Sequence, residues 1–253
     1  LGDVYKRQSM GIVARQSIYN SIASYLGVII GAVNTLLLFP YVFSADQFGL
    51  TRVIGAAAAL FCSFSMLGTP GVTLKFFPYF KDKENKHNGF LFFILAFPFI
   101  GYLLFMGIAL LFKADIIDFY STKSNLFEQY YQYIPLLILY LVYFNVFDSY
   151  LRGLFKSVIH SFLVNVVLRL MWSVFIILYY FKLINFDEFI FCYVNAYALL
   201  ILVEVIYTFS IKQLFILPNF KKFDKGIVKK IAVFALFIIC LLYTSDAADE
   251  GHC

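Results

Sequence analysis

The chain has 253 residues, of which 62% are hydrophobic and only 14% are charged, and its formal net charge is +5. Soluble globular domains carry roughly 45–50% apolar and about 25% charged residues, so the composition excludes a water-soluble fold for most of the chain. The 32 Phe and 19 Tyr residues are typical of lipid-facing and interfacial positions. We therefore expect an all-α protein whose main solvent is lipid.

The two ends of the chain differ from the rest. Asp3–Gln8 can be encoded by GATGTGTATAAGAGACAG, and the reverse complement of this string, read one frame over, encodes Cys240–Ser245. Both ends thus resemble the two arms of a sequencing adapter. Such segments are excluded from fold reasoning. We expect residues 1–9 and 240–253 to be non-native, which leaves 10–239 as the native N-terminal part of a longer protein.

Six apolar segments are long enough to cross a bilayer. A hydrocarbon core of about 30 Å requires about 20 apolar residues in a helix. The predicted spans are residues 17–41, 53–74, 89–112, 130–147, 161–181 and 189–211, and a seventh helix opens at Ile231.

Lysine and arginine residues are distributed unevenly between the predicted loops. With the N-terminus inside, thirteen basic residues fall on the cytoplasmic side and four on the opposite side. Loops rich in Lys and Arg face the cytoplasm, so we expect a multi-pass protein of a bacterial plasma (inner) membrane with a cytoplasmic N-terminus. The lysines after the sixth span are expected to contact anionic lipid headgroups, not nucleic acid; they are Lys221, Lys222, Lys225, Lys229 and Lys230.

One face of the first span is small or polar throughout. Gly27 and Gly31 on this face have the spacing that favours close helix crossing. Two interpretations remain open, a tight helix–helix seam and the wall of an aqueous cavity. The face consists of Ser17, Asn20, Ser24, Gly27, Gly31 and Asn34.

The second predicted span ends in a helix-breaking sequence. Gly68, Thr69, Pro70 and Gly71 are consecutive, and Pro and Gly together should kink or unwind the helix there. Backbone freed in this way must be buried in protein or face water. The segment predicts a kinked helix or, alternatively, a moving gate.

Two charged residues interrupt the fifth and sixth spans. Arg169 shares a face with Asn165, and Glu204 is the acid of the next span. A charge inside a span is costly and marks a functional site by default. Both are expected about 12 Å deep, so they either form a structural ion pair or provide a cationic site for an anionic substrate, with Glu204 as counter-ion or proton carrier. The histidines and cysteines are scattered, so no metal or cofactor is expected.

Three segments resemble a known family. Met10–Asn34, Gln47–Arg52 and Lys75–Phe90 resemble the start of polysaccharide-biosynthesis membrane proteins. These are lipid-linked oligosaccharide flippases of the superfamily that also contains the MATE multidrug exporters and the lipid II flippases. The likeness extends over about residues 10–239.

The resemblance implies a fold of 12–14 helices in two lobes, of which this chain supplies the N-terminal six-helix lobe and the start of a seventh helix. It implies transport of an undecaprenyl-diphosphate-linked oligosaccharide from the cytoplasmic to the periplasmic leaflet. Arg169, Glu204, Asn165, Asn34 and Asn20 are the candidate cavity residues. A MATE-type drug or cation antiporter is the alternative, and a glycan polymerase or acyltransferase is a distant one. We expect no enzymatic activity, because the short outward loops offer no convincing acid–base pair or nucleophile.

Overall fold

The computed structural model describes residues 2–113, 125–219 and 222–250, and all regular structure within these ranges is helical. Two helices are prolonged by π-helical turns, at Val33–Leu38 and Leu163–Val167, and a 3₁₀ turn at Lys86–Gly89 precedes α5. The α-helices are α1 (Gly2–Ala32), α2 (Phe39–Val42), α3 (Ala45–Ser65), α4 (Thr69–Phe80), α5 (Phe90–Leu111), α6 (Asn125–Tyr130), α7 (Tyr133–Gly153), α8 (Ser157–Phe162), α9 (Leu168–Tyr180), α10 (Phe186–Ser210) and α11 (Lys225–Glu250).

Six helical segments of the described residues are long and apolar enough to cross a membrane, which confirms the predicted number. The predicted start of a seventh helix at Ile231 lies inside α11, which is not among the six. The spans, numbered in chain order, are span 1 (Ala14–Val42), span 2 (Ala45–Ser65), span 3 (Lys86–Leu111), span 4 (Tyr133–Gly153), span 5 (Ser157–Tyr180) and span 6 (Phe186–Ser210).

Span 2 lies earlier in the sequence than predicted. Ser44 caps its first turn, because the Ser44 hydroxyl accepts from the Gln47 main-chain N–H at 3.3 Å while the Gln47 side chain accepts from the Ser44 N–H at 3.1 Å. This capping box starts the helix in a polar segment that was predicted to be a loop. Arg52 therefore lies within the span, where it donates to the Thr35 hydroxyl at 2.9 Å and lies over the Phe48 ring at 4.8 Å.

Proline explains the first of the two π turns. Pro40 has no N–H to donate to the preceding turn, and its ring crowds the carbonyl four residues earlier. The helix widens at Val33–Leu38, directly before this proline. The second π turn, Leu163–Val167, contains no proline and lies next to span 1.

Span 4 lies at the centre of the bundle, and 56% of the residues in its most apolar 18-residue stretch are buried. It packs against spans 2, 3 and 6 and against α4, while span 1 packs on span 5 at the side of the bundle. Basic residues gather at one end of the molecule, hereafter the basic end, where Arg15, Lys81, Lys83 and Lys156 line clefts.

Candidate functional site

Span 1 crosses span 5 at very close range. A methyl group built on Gly27 would lie 2.7 Å from the main-chain oxygen of Asn165, and one built on Gly31 would collide with the Arg169 guanidinium. Only glycine permits this approach of the two backbones. The Gly27–Gly31 part of the small and polar face of span 1 is therefore a helix–helix seam, as the first of the two interpretations predicts.

Polar side chains form hydrogen bonds between spans 1 and 5 at both ends of this seam. Asn34 donates from Nδ2 to the Arg169 main-chain oxygen at 2.8 Å, and its Oδ1 accepts from the Ser173 hydroxyl at 2.7 Å. Toward the basic end, Asn20 donates to the Ser157 hydroxyl at 3.2 Å. Asn165 donates to the Ser161 carbonyl of its own helix at 2.9 Å, so its side chain stabilises span 5 rather than the crossing.

Arg169 does not pair with Glu204, so the ion pair, one of the two interpretations of these charges, is wrong. Arg169 lies twelve residues after Ser157 and eleven before Tyr180, or about 17 Å from either end of span 5 at about 1.5 Å per residue. Glu204 lies six residues before Ser210, only about 9 Å from the basic end. The two charges were expected at equal depth, and the true span boundaries separate them.

The Arg169 guanidinium is a half-buried cation at mid-span. Its Nη1 donates to the main-chain oxygen of Gly27. Among the described residues, no carboxylate oxygen lies within 4.0 Å of it. A guanidinium has five N–H donors, so most of its capacity to bind an anion remains unused in the described contacts.

Glu204 pairs instead with His160, for which the sequence pattern indicates no partner. Its Oε1 lies 2.8 Å from Nδ1 of His160, and Nε2 of the same imidazole lies 3.7 Å from Oδ1 of Asp148. Asp148 also accepts from Nε of Arg152 at 2.8 Å. The acid of span 6 thus belongs to a cluster with spans 4 and 5.

The sequence holds a signal for this cluster. Asp148 and His160 lie at equal distances in sequence from Leu154, where the chain turns from span 4 into span 5. Residues placed symmetrically about a short turn between antiparallel helices come to lie side by side. Asp148 and Arg152 form an i, i+4 pair on span 4, but the Asp148 side chain is only 14% exposed and faces inward as well.

A cleft of about 770 Å³ opens at the basic end between span 1 and the turn that joins spans 4 and 5. Arg15 and Lys156 bring two positive charges to its lining, and Tyr19 and Tyr207 bring aromatic rings. Gln16 donates from Nε2 to the Phe155 carbonyl and so links span 1 to the turn at this cleft. The cleft therefore combines cations with an apolar wall, which suits an anionic headgroup attached to a lipid chain.

The helix break predicted at Gly68–Gly71 is present. The chain leaves span 2 at Ser65, Leu67 and Gly68 take positive φ angles of 48° and 72°, and α4 begins at Thr69. The break lies deep in the bundle, because Leu67 contacts Gly101 near the middle of span 3. Residues of α11 cover it, since Ala235 and Ile238 lie within 3.4 Å of a methyl group built on Gly68.

The basic segment after span 6 is partly described. Lys221 lies outside the described residues, whereas Lys222 lies 6.0 Å from the ring of Tyr79. Lys229 and Lys230 of α11 line a second cleft together with Lys75. These lysines thus lie beside aromatic and apolar side chains, and their contact with lipid headgroups stays a prediction.

Comparison with known proteins adds no relative, because no protein-family model, no curated protein and no solved structure matches the chain.

Proposed function

We propose that the chain forms part of a transporter of the bacterial inner membrane. It moves an oligosaccharide linked to undecaprenyl diphosphate from the cytoplasmic to the periplasmic leaflet, during surface polysaccharide biosynthesis. The basic end faces the cytoplasm in this proposal. The six spans, the charge distribution and the likeness of Met10–Asn34, Gln47–Arg52 and Lys75–Phe90 to flippases support it.

The observation that carries the proposal is the position of the Arg169 cation at mid-span without a described carboxylate partner. A cation at the centre of a span costs about 2.5–3.5 kcal/mol on insertion scales, and no described carboxylate offsets this cost. A guanidinium can hold two phosphate oxygens at once through parallel N–H donors. The position and the chemistry of Arg169 therefore support a role in binding the diphosphate half-way across the membrane.

The cleft at the basic end supports the same substrate class. Arg15 and Lys156 would meet the diphosphate where it leaves the cytoplasmic leaflet, and the apolar wall would contact the start of the lipid chain. Tyr19 and Tyr207 offer ring faces of the kind on which sugars stack. Arg15 of the cleft and Gly27, whose main-chain oxygen accepts from Arg169, lie on the same span.

The MATE-type antiporter is less well supported. A cation carrier needs an acidic side chain that its cargo can reach, and Glu204 is fully enclosed within the bundle. Its carboxylate is already bound to His160 at 2.8 Å. The described part of the chain thus has a half-buried cation at mid-span, whereas its intramembrane acid is enclosed.

The test is translocation of a fluorescent diphosphate-linked lipid by the full-length protein in proteoliposomes. Arg169→Ala should abolish translocation, while Arg169→Lys should retain part of it because the charge persists without the planar fork. Lys182→Gln, at an exposed loop lysine, is the matched control and should behave like the wild type. Glu204→Ala should not rescue Arg169→Ala, because the two side chains are not paired. Undiminished translocation by a folded Arg169→Ala protein would overturn the proposal.

A further inference from the structure

Four ionisable side chains form a line from the basic end into the bundle. The side chain of Arg152 is 50% exposed, that of Asp148 14%, that of His160 9% and that of Glu204 0%. Successive members of the line are separated by 2.8, 3.7 and 2.8 Å, across spans 4, 5 and 6. The line thus connects solvent at the basic end with an enclosed carboxylate.

One oxygen of the enclosed carboxylate has no partner. Oε1 of Glu204 is bound to His160, but Oε2 is buried without a hydrogen bond to any described residue. The hydroxyl of Thr208 does not reach it, because this group donates to the Glu204 main-chain oxygen at 2.7 Å. A buried, unsatisfied carboxylate oxygen is costly, and that cost falls if the Glu204 carboxylate takes up a proton, because the buried charge is then removed.

Within the described ranges, no group of three His, Cys, Asp or Glu side chains is arranged to hold a metal ion. Among the described residues, the further charged side chains that contact the His160–Glu204 pair are Asp148 and, through it, Arg152. The ring of Phe144 lies 4.3 Å from the imidazole, measured between centroids, and holds it between the two acids. These surroundings fit a proton as the ligand.

We propose that Asp148, His160 and Glu204 form a proton-binding relay that carries protons between the basic end and the buried Glu204 carboxylate. A proton on Asp148 passes from Oδ1 to Nε2 of His160, and the imidazole releases its Nδ1 proton to Oε1 of Glu204. Asp148 becomes a carboxylate, Glu204 becomes a carboxylic acid, and the imidazole remains neutral in its other tautomer. The acid then donates from Oε1 to the unprotonated Nδ1 of His160, and the unpartnered Oε2 becomes a neutral carbonyl oxygen.

The 3.7 Å separation of Nε2 and Oδ1 makes this contact the switchable step of the relay. Hydrogen bonds of this type require about 2.7–3.2 Å, so the imidazole must approach Asp148 by about 0.5 Å. His160 lies in α8, directly before the π turn Leu163–Val167, and Arg169 follows on the same span. A change in proton occupancy of the relay would therefore act on the helix that carries the mid-span cation, which is the one consequence that rests on the proposed transport function.

Nitrogen-15 NMR of the full-length protein in bilayers tests the relay without any glycan substrate. His160 should give a neutral imidazole signal whose tautomer shifts with pH, and Glu204→Gln should abolish this shift. The signal of His87, which contacts Gln213 at 2.6 Å in a separate loop, is the internal control. Its response to pH should be the same in the wild type and in Glu204→Gln. A His160 signal that responds identically in the wild type and in Glu204→Gln would overturn the proposal.

Infrared spectroscopy provides a second measurement that does not depend on a Glu204 variant. A protonated, buried carboxylic acid should appear as the pH is lowered and should exchange with deuterium slowly. Asp148→Asn should slow this exchange by about tenfold or more, because relayed proton transfer accelerates such steps by at least that factor. Asp46→Asn, in the exposed first turn of span 2, should have no effect. Absence of a protonated acid over the whole pH range of the folded protein would show a permanent ion pair and would also overturn the relay.

Discussion

Asn34 binds Arg169 through the main chain, at 2.8 Å from its Nδ2 to the arginine carbonyl oxygen. The π turn of span 1 contains this asparagine, and a π turn frees main-chain groups for contacts outside their own helix. The bond lies next to the guanidinium that we assign to the diphosphate. The position of the mid-span cation thus depends on an amide in the neighbouring helix.

Asn34→Leu should destabilise the bundle, because it removes this bond and the one from Ser173. Interhelical hydrogen bonds in membranes contribute on average about 0.6 and at most about 1.7 kcal/mol, so we expect a loss of about 1–2 kcal/mol in the free energy of unfolding, measured in mixed micelles. Ser63→Ala is the control, since the Ser63 hydroxyl bonds only to its own helix at 3.1 Å. Equal stability of Asn34→Leu and Ser63→Ala would contradict the seam.

Gly27→Ala should separate spans 1 and 5. Its new methyl group would lie 2.7 Å from the Asn165 oxygen and 2.8 Å from the Asn165 Cβ, and backbone cannot yield as a flexible side chain would. Gly107→Ala is the matched control, because nothing lies within 4 Å of the new methyl group. We expect overpacking to cost about 1–3 kcal/mol at Gly27 and helix propensity to add up to about 1 kcal/mol of stability at Gly107. Thermal unfolding of both variants measures the difference, and an equal response would exclude a close crossing at Gly27.

The sequence is sufficient to predict the number of spans and the break at Gly68, because each depends on local composition or spacing. For the small and polar face of span 1 it leaves a helix–helix seam and a cavity wall as two open interpretations. It is insufficient for the pairing of Arg169 and Glu204. That pairing depends on relative depth, and an error of four residues at the start of span 5 moves a side chain by about 6 Å. His160 was missed for a related reason, since its partner Glu204 is 44 residues away on another helix.

Gly68→Ala should weaken the junction between span 2 and α4. Gly68 has a φ of 72°, and a left-handed conformation costs a residue with a Cβ about 1–2 kcal/mol. The methyl group would also meet the Ala235 oxygen at 3.0 Å. Gly49→Ala in span 2 meets nothing within 4 Å and should leave the unfolding temperature unchanged or raise it. If Gly68→Ala were as stable as Gly49→Ala, the break would have a different backbone conformation from the one described.

The loop before span 3 should lose order in acid. The side-chain amide of Asn85 donates to Asp82 at 2.7 Å and the Glu84 N–H donates to it at 3.1 Å. These bonds, with that of the Asn85 side chain foremost, hold the pKa of Asp82 below its ordinary value. Their contribution is therefore present above the unfolded pKa of about 3.9 and disappears as the pH falls through the lower folded value.

Hydrogen exchange of the loop measures this dependence. Protection of the His87 amide, which donates to the Asp82 main-chain oxygen at 2.7 Å, should fall in that acidic range. In Asp82→Asn, protection of the His87 amide should already be lower at neutral pH. It should then no longer fall in the acidic range. Glu84→Gln should retain the wild-type profile, because the Glu84 side chain is exposed. A wild-type profile in Asp82→Asn would remove the carboxylate as the cause.

The basic end should face the cytoplasm. Lys81, Lys83 and Lys156 line one cleft of this end, and basic residues close to span ends resist translocation. Reporter fusions after Lys83 and Lys222 should therefore be active as cytoplasmic reporters, and a fusion after Lys182, at the opposite end between spans 5 and 6, should be active in the periplasm. Replacement of Lys81 and Lys83 by Gln should weaken this preference, whereas replacement of Lys182 by Gln should strengthen it. The reversed pattern at two of the three fusion sites would show the opposite orientation. Arg15 and Lys156 would then face the periplasm, where the proposed substrate is released rather than bound.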